Sequence, residues 1–188
     1  KIKTKDFVIC YGAKNFLTDK NKGWDLFYKS IISLPESLQS KITLICFGDI
    51  FKESSKYQWK IKRLINPSFV RDNMLLNTIY NSSDLIIVPS RYENMPQIAV
   101  EALACGCLVY GYKIGGIPEI INSPLHGKLF DPFVTIDFSR VINNFKGSED
   151  SKYLKEREDR ANYAKLNWSS EVISKKYSEL FISISNKE

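Results

Sequence analysis

Two glutamates stand out in RYENMPQIAVEALACG, residues 91 to 106. Glu93 lies three residues before a proline, and Glu101 lies eight positions after Glu93 in an otherwise apolar stretch. A buried carboxylate without a partner costs on the order of several kcal/mol, so Glu101 must have a partner or reach a water-filled cleft. There it could accept hydrogen bonds from ligand hydroxyls, as carboxylates do from ribose. A salt bridge of Glu101 to a lysine, and a solvated loop position for Glu93, stay open on these residues alone.

The same stretch could bind an anion at the start of its helix. Pro96 is expected at the first helical position, with Gly106 just beyond the end. Unpaired N–H groups at a helix start carry about half a positive charge and attract phosphate. Because Pro96 has no N–H, the amides of Gln97 and Ile98 are the expected donors, and Lys22 would add a full charge. These groups could hold a diphosphate without a metal.

The elements that position these residues follow from alternating apolar runs and helical patterns. Strands are predicted over residues 7–12, 42–48, 84–90, 107–112 and 128–130, with a weaker strand over 61–65. Helices are predicted over 24–31, 73–81, 96–105, 148–167 and 167–181, the fourth as a solvated amphipathic helix. Nearly continuous apolar strands indicate burial on both faces. The fold class is therefore α/β, a Rossmann-like, doubly wound and mainly parallel sheet flanked by helices.

Three loops follow strands at the sheet edge where such folds bind ligands. They are GAKNFLTDKNKG (12–23), which ends in a lysine and a glycine at a helix start, SRYENMP (90–96) and YKIGGIPE (112–119). Gly115 and Gly116 in the third loop indicate a tight turn. We expect the site to lie among these loops.

Length and composition favour one compact domain, with 188 residues, of which 44% are hydrophobic. The net charge is +6, but basic residues are scattered, so an anionic ligand is favoured over nucleic acid. No window reaches the roughly 18 apolar residues of a membrane span, and the first residues do not resemble a signal peptide. We expect a cytoplasmic protein, and the start at Lys1, without a methionine and only six residues before a strand pattern, is typical of a fragment.

Cysteines and the single histidine give little indication of a metal. Cys10, Cys46, Cys105 and Cys107 lie among apolar neighbours, as buried, reduced thiols would. No CxxC pair or nearby histidine completes a zinc set, and His126 lies in a turn signature. We expect no metal and no other cofactor, with a metal or redox role for residues 105–107 as the alternative.

These motifs together resemble a known family. PSRYENMPQIAVEALACGCLVYGYKIGGIPEII, with its two glutamates in an E-x7-E arrangement, resembles the donor-binding signature of family 4 retaining glycosyltransferases of the GT-B fold. GAKNFLTDKNKGWDLFYKSI is similar to that family's phosphate-contacting loop and helix, and NTIYNSSDLIIVPS to its lead-in. NWSSEVISKKYSELF is similar to the closing helix. The resemblance runs from about residue 6 to 182 and implies one half of a GT-B fold.

The resemblance implies a role for each matching residue. Glu101 would bind the ribose hydroxyls of a nucleotide-sugar donor, and Glu93 the hydroxyls of the transferred sugar. Lys22 would act with Glu93 in the transfer step by holding the diphosphate leaving group. Backbone amides around Met95, Gln97 and Ile98 would hold the same diphosphate, and the loop at Phe69 and Val70 would lie against the base. Many members carry an arginine after the first glycine, where this sequence has Ala13 followed by Lys14, and Lys14 would take part in donor binding.

The resemblance also implies a missing partner. GT-B enzymes bind the acceptor in a separate N-terminal Rossmann-like domain, and this chain is long enough only for the C-terminal half. Residues 1–188 would form a single donor-binding domain that binds a nucleotide-sugar but transfers little by itself. The whole protein would act on a glycan or lipid-linked acceptor in surface polysaccharide or glycoconjugate synthesis. Peripheral association with the inner face of a membrane would fit such an acceptor.

Three other functions fit part of the pattern. A dinucleotide-dependent oxidoreductase shares the fold class, but GAKNFL does not supply G-x-G-x-x-G. A glycoside hydrolase uses paired carboxylates, but helix-start geometry explains Glu93 and Glu101 better than the flanking arrangement of hydrolysis. A non-catalytic binding or scaffolding domain with the same fold stays as the main alternative. The set of Glu93, Lys22 and Glu101 argues against it.

Overall fold

Six parallel strands form the central sheet in the computed structural model, which describes residues 6–51 and 57–185. The strands are β1 (Phe7–Gly12), β2 (Ile42–Phe47), β3 (Arg63–Ser68), β4 (Leu85–Val88), β5 (Leu108–Tyr112) and β6 (Gly127–Phe130). Their order across the sheet is β3-β2-β1-β4-β5-β6, and every neighbouring pair is parallel. The direction of winding therefore reverses between β1 and β4.

Helices cover both faces of this sheet. They are α1 (Trp24–Ile32), α2 (Glu36–Gln39), α3 (Asn73–Asn81), α4 (Gln97–Ala104), α5 (Ile117–Ile120), α6 (Ser139–Asn144), α7 (Ser151–Trp168) and α8 (Ser170–Ser185). A 3-10 turn, Lys20–Lys22, precedes α1. One core cluster joins alternate strand residues such as Ile9 and Leu44 to α1, α2 and α6. The other joins Cys10 and Ile45 to α3, α4, α5 and α7, which confirms the doubly wound prediction.

Strand and helix predictions differ from the structure mainly at their ends. The weaker strand predicted over 61–65 is β3, two residues later at its start. The strand predicted over 84–90 ends at Val88, because Pro89 has no N–H to donate to the sheet. Helices α2, α5 and α6 were not predicted, since four to six residues are too few to establish helical periodicity.

Helix α7 is less solvated than its charged sequence predicts. Arg160 is 1% exposed and donates through Nε to the Gly106 carbonyl at 2.7 Å. Arg157 donates to the carbonyls of Cys105 and Ser83, at 2.7 and 2.6 Å. Carbonyls at a helix C-terminus lack intrahelical partners, so these arginines satisfy the end of α4. These bonds anchor the C-terminal end of α4 to α7.

The cysteines are free thiols, and three of them are buried. Burial raises the pKa of the Cys107 thiol to about 12. The prediction of burial was wrong for Cys105, which is half-buried at the end of α4 with its Sγ 3.5 Å from the Asn77 Oδ1. His126 is buried and stacks on Tyr163, with ring centroids 3.7 Å apart.

The described residues contain neither a metal-binding cluster nor a membrane-spanning helix. Within residues 6–51 and 57–185, no group of three or more histidine, cysteine, aspartate or glutamate side chains could hold a metal ion. In the same part of the chain, every helix is too short or too polar to cross a bilayer.

Candidate functional site

A cleft of about 380 Å³ opens at the carboxyl ends of β1 and β4. Tyr11 and Gly12 line it from β1, and Ile87 and Val88 line it from β4. These two strands flank the point where the winding of the sheet reverses, which is where open α/β sheets bind ligands. The volume lies within the range of roughly 300 to 1,000 Å³ that small-molecule sites occupy.

Six of the nine predicted site residues line this cleft together. They are Lys14, Lys22, Glu93, Met95, Gln97 and Ile98. The cleft thus carries two lysines against one glutamate and also receives the positive end of α4. A net positive, partly enclosed surface of this kind attracts a small anion such as a diphosphate.

The start of α4 supplies free amide donors. Pro96 is the residue before the helix, not its first residue as predicted, because its ψ of 107° is extended. Its carbonyl accepts a hydrogen bond from the Ala99 amide at 3.0 Å. In the described part of the chain, no hydrogen bond is found for the amides of Gln97 and Ile98. These two N–H groups can therefore bind an anion in the cleft.

Lys22 is held in place by its backbone. The Tyr11 hydroxyl donates to the Lys22 carbonyl at 2.8 Å, directly below the cleft. Gly23 follows in the left-handed conformation, φ 68°, and a Cβ there would lie 1.9 Å from the Pro89 carbonyl oxygen. Only glycine lets this turn approach the loop after β4 so closely. The Lys22 Nζ then lies 4.0 Å from the Glu93 Oε2.

Lys14 occupies the other rim of the cleft. The Ala13 amide donates to the Phe47 carbonyl at 3.1 Å, and the Asn15 amide donates to the Gly48 carbonyl at 2.9 Å. These bonds extend the pairing of β1 with β2 beyond the strand ends and fix the backbone on both sides of Lys14. Position 13, where many family members carry an arginine, is an alanine here, so the cation on this rim comes from Lys14.

Arg91 joins the turn that carries Lys22 to the loop before α4, a role that the sequence did not reveal. Its guanidinium donates to both carboxylate oxygens of Asp25, at 2.7 and 2.6 Å, and to the Lys20 carbonyl at 2.7 Å. Its amide donates to the Asn21 carbonyl at 2.8 Å. The guanidinium also lowers the pKa of Asp25. Arg91 and Asp25 are 66 residues apart, so no local spacing could have indicated the pair.

Glu93 is supported from two sides. The Ser90 hydroxyl donates to its Oε2 at 3.3 Å. Gly115 adopts φ 54° and packs so tightly that a Cβ would lie 1.8 Å from the Glu93 carbonyl oxygen. The Gly116 amide donates to the Asn94 carbonyl. The turn at Gly115 and Gly116 therefore packs directly against the backbone of the Glu93 loop, in agreement with the predicted tight turn.

Glu101 lies outside the cleft, one helical turn beyond Gln97 on the same face of α4. It is exposed, and its Oε2 accepts a hydrogen bond from the Tyr80 hydroxyl at 2.8 Å. In the described residues its partner is thus a tyrosine, and the lysine salt bridge is not found. Although its sequence is apolar nearly all round, which is typical of a buried helix, α4 has an exposed stripe along Gln97, Glu101 and Ala104.

Phe69 and Val70 also lie outside the cleft, just after β3. Phe69 is 49% exposed, and Val70 packs against the core cluster that contains Tyr80. The same cluster receives Ile98, so Val70 belongs to the side of the sheet that carries α4. The structure therefore assigns neither residue a role in the cleft.

A comparison with protein families decides the relationship. The model of the family of glycosyl transferases group 1 matches residues 2–167. The chain belongs to this family. The chain is 29% identical over 104 residues to a D-inositol 3-phosphate glycosyltransferase of Corynebacterium jeikeium. That match covers 54% of this chain and 25% of the relative.

Solved structures show the same fold. Sucrose-phosphate synthase from Thermosynechococcus elongatus superposes on the whole chain with a TM-score of 0.75 and 17% identity. Anabaena HepE in complex with UDP-glucose superposes on 95% of it with a TM-score of 0.71 and 20% identity. The chain spans 47% and 49% of these two proteins, about half of each. The predicted fold class, a Rossmann-like α/β sheet of the kind found in one half of a GT-B fold, is confirmed.

Proposed function

We propose that this chain is the donor-binding domain of a retaining glycosyltransferase and binds a nucleotide-diphosphate-sugar. The observation that carries this proposal is the cleft at the switch point, which Lys14 and Lys22 line together with Gln97 and Ile98, the two residues whose amides are free. A related fold, HepE, has been solved with UDP-glucose. The charge and size of the cleft suit the diphosphate of such a donor.

The amides and lysines would act on the bond that breaks during transfer. As the anomeric carbon leaves the diphosphate oxygen, negative charge grows on the diphosphate. Lys22 and the N–H groups of Gln97 and Ile98 would stabilise that charge, and they are already fixed by the backbone contacts around them. Loss of one such preorganised donor typically costs about 3 kcal/mol in the transition state. In this proposal the lysines take the place of a metal ion.

The two glutamates would bind the hydroxyls on either side of the diphosphate. Glu93 has Lys22 and Ser90 at its Oε2, which leaves Oε1 to accept from the transferred sugar. Glu101 lies one turn along α4 from Gln97, a side-chain separation of about 6 Å, where the ribose would follow the phosphates. The base would then extend towards the loop at residues 69–70.

Transfer would require the other half of the protein. Because the chain spans about half of its solved neighbours, we propose that an N-terminal domain binds the acceptor and closes over the donor cleft. The acceptor would be a glycan or a lipid-linked sugar in surface polysaccharide or glycoconjugate synthesis, on the cytoplasmic side of a membrane. This chain alone would bind the donor and transfer little.

Calorimetric titration of UDP, GDP and ADP into the chain tests the binding role. We expect saturable binding of one of the three in the presence of EDTA, weakened at least tenfold in Glu101→Ala. Glu119→Ala, which removes an exposed glutamate of α5, serves as the matched control and should bind as tightly as the wild type. Absence of saturable binding by all three nucleotides, or unchanged affinity in Glu101→Ala, would contradict the site assignment.

A further inference from the structure

Glu101 is hydrogen-bonded to Tyr80, a tyrosine whose ring is buried in the core. Tyr80, in the last turn of α3, is 3% exposed, and its ring packs edge-on against Phe47 with centroids 6.2 Å apart. Its carbonyl accepts from the Cys107 thiol at 3.0 Å. Backbone and ring are thus fixed in the core, while the hydroxyl reaches the exposed carboxylate of Glu101 on the neighbouring helix at 2.8 Å.

The chemistry of this contact gives the two groups fixed roles. Burial, reinforced by the negative charge of Glu101, raises the pKa of Tyr80 well above its ordinary value. The phenol therefore stays protonated at neutral pH and donates its single proton to Glu101 Oε2. Oε1 and the second lone pair of Oε2 stay available as acceptors. A carboxylate with two acceptor sites on one side matches the adjacent 2′ and 3′ hydroxyls of a ribose.

The contact also removes conformational freedom from an exposed side chain. A glutamate on a helix surface loses side-chain conformational entropy when it is ordered. A ligand that must order Glu101 itself would therefore bind more weakly. With Tyr80 holding one carboxylate oxygen, much of this cost is met before the ligand arrives.

We infer that Tyr80 is a positioning residue, which orients the Glu101 carboxylate towards the ribose and thereby favours ribonucleotide over 2′-deoxyribonucleotide donors. This inference rests on the proposed function, since it takes Glu101 as the ribose ligand. The inference concerns binding selectivity and not general stability, because the Tyr80 hydroxyl donates to an exposed carboxylate, whereas the ring alone packs in the core.

The test compares ribonucleotides with their 2′-deoxy analogues. UDP, GDP and ADP and their 2′-deoxy forms are titrated into the wild type, Tyr80→Phe and Glu101→Ala, and the pair whose ribonucleotide saturates is used. We expect Tyr80→Phe to weaken ribonucleotide binding about three- to tenfold, as partial loss of the pre-ordering predicts, and to weaken deoxyribonucleotide binding less, because only the 3′ hydroxyl is left to bind Glu101. Tyr163→Phe, which removes a hydroxyl bonded to Asn122, is the control and should keep the wild-type ratio.

Combining the substitutions separates this inference from the proposed function. In the Glu101→Ala background, Tyr80→Phe should have no further effect on the ratio of ribonucleotide to deoxyribonucleotide affinity. An unchanged ratio in Tyr80→Phe, with the ratio reduced in Glu101→Ala, would overturn the role of Tyr80 and leave the donor site standing. Equal losses for both sugars in Tyr80→Phe, or a variant that fails to fold in a thermal melt, would show a structural role and would also overturn the inference. No discrimination in the wild type would count against Glu101 itself.

Discussion

Replacing Lys22 with methionine removes the charge that faces the start of α4 while keeping most of the side-chain length. Lys22 lies 4.0 Å from Glu93, but this attraction is present before and after a ligand binds, so it largely cancels in the binding free energy. The loss that counts is the contact between Lys22 and the diphosphate. A full Coulomb interaction at about 4 Å, with an effective dielectric constant near 20, sets an upper bound of about 4 kcal/mol.

Solvent reduces that bound, because the Lys22 side chain is 32% exposed. A hydrogen bond to a charged group typically contributes about 1.5 to 3 kcal/mol. We therefore expect Lys22→Met to weaken nucleoside diphosphate binding by roughly 10- to 150-fold. The part that is electrostatic must also decrease as salt screens the charges.

Calorimetry at about 20 and about 200 mM salt measures both effects, since the Debye length falls from roughly 20 to 7 Å between them. The wild type should lose affinity as salt rises, and Lys22→Met should lose less. Lys165→Met, which removes an exposed lysine near the end of α7, is the matched control. The reasoning is refuted if Lys22→Met binds within about twofold of the wild type, or if Lys165→Met loses as much affinity.

Three further predictions address the supports of the site and one buried group. Arg91→Met should weaken nucleoside diphosphate binding about three- to tenfold in calorimetry, because the turn before α1 loses its charged hydrogen bonds, and wild-type affinity would contradict this. Gly115→Ala should displace the Glu93 loop by about 1.5 Å and abolish most of the extra affinity that an attached sugar gives. Gly106→Ala, which also replaces a glycine in the left-handed region, at φ 80°, but at the far end of α4, should keep that extra affinity, and equal losses would count against the prediction. Burial lowers the pKa of His126, so the unfolded chain takes up the proton first, and this part of the stability is present above about pH 6.5 and is lost as the pH falls below it. The difference in urea midpoint between wild type and His126→Gln should therefore shrink from pH 7 to about pH 5, and a constant difference would show that His126 does not titrate in this way.

The fold followed from the sequence because buried parallel strands are apolar on both faces and were visible as short continuous runs. Both ends of α4 were predicted to within one residue from Pro96 and Gly106, although the proline is the residue before the helix. Helix boundaries commonly shift by one residue, because a proline suits both positions through its fixed φ. The loops around the cleft were found because strand ends in a parallel sheet meet at one edge.

The supporting contacts of the site could not be predicted, since they depend on side chains that packing brings together. The bond from Tyr80 to Glu101 spans 21 residues, and the one from Arg91 to Asp25 spans 66. The charged composition of α7 led to the prediction of a solvated helix. Sequence alone does not distinguish a buried arginine that binds helix carbonyls from a solvated one. The roles of the site residues towards a donor stay predictions.

The most direct measurement of the central claim is an amide chemical-shift map of the chain titrated with UDP, GDP and ADP. For the nucleotide that saturates, we predict that the amides of Gln97 and Ile98 shift most, because the diphosphate would bind their free N–H groups. Amides near Lys22 should follow the same binding curve. Shifts that saturate elsewhere on the domain while Gln97 and Ile98 stay unchanged would contradict the claim.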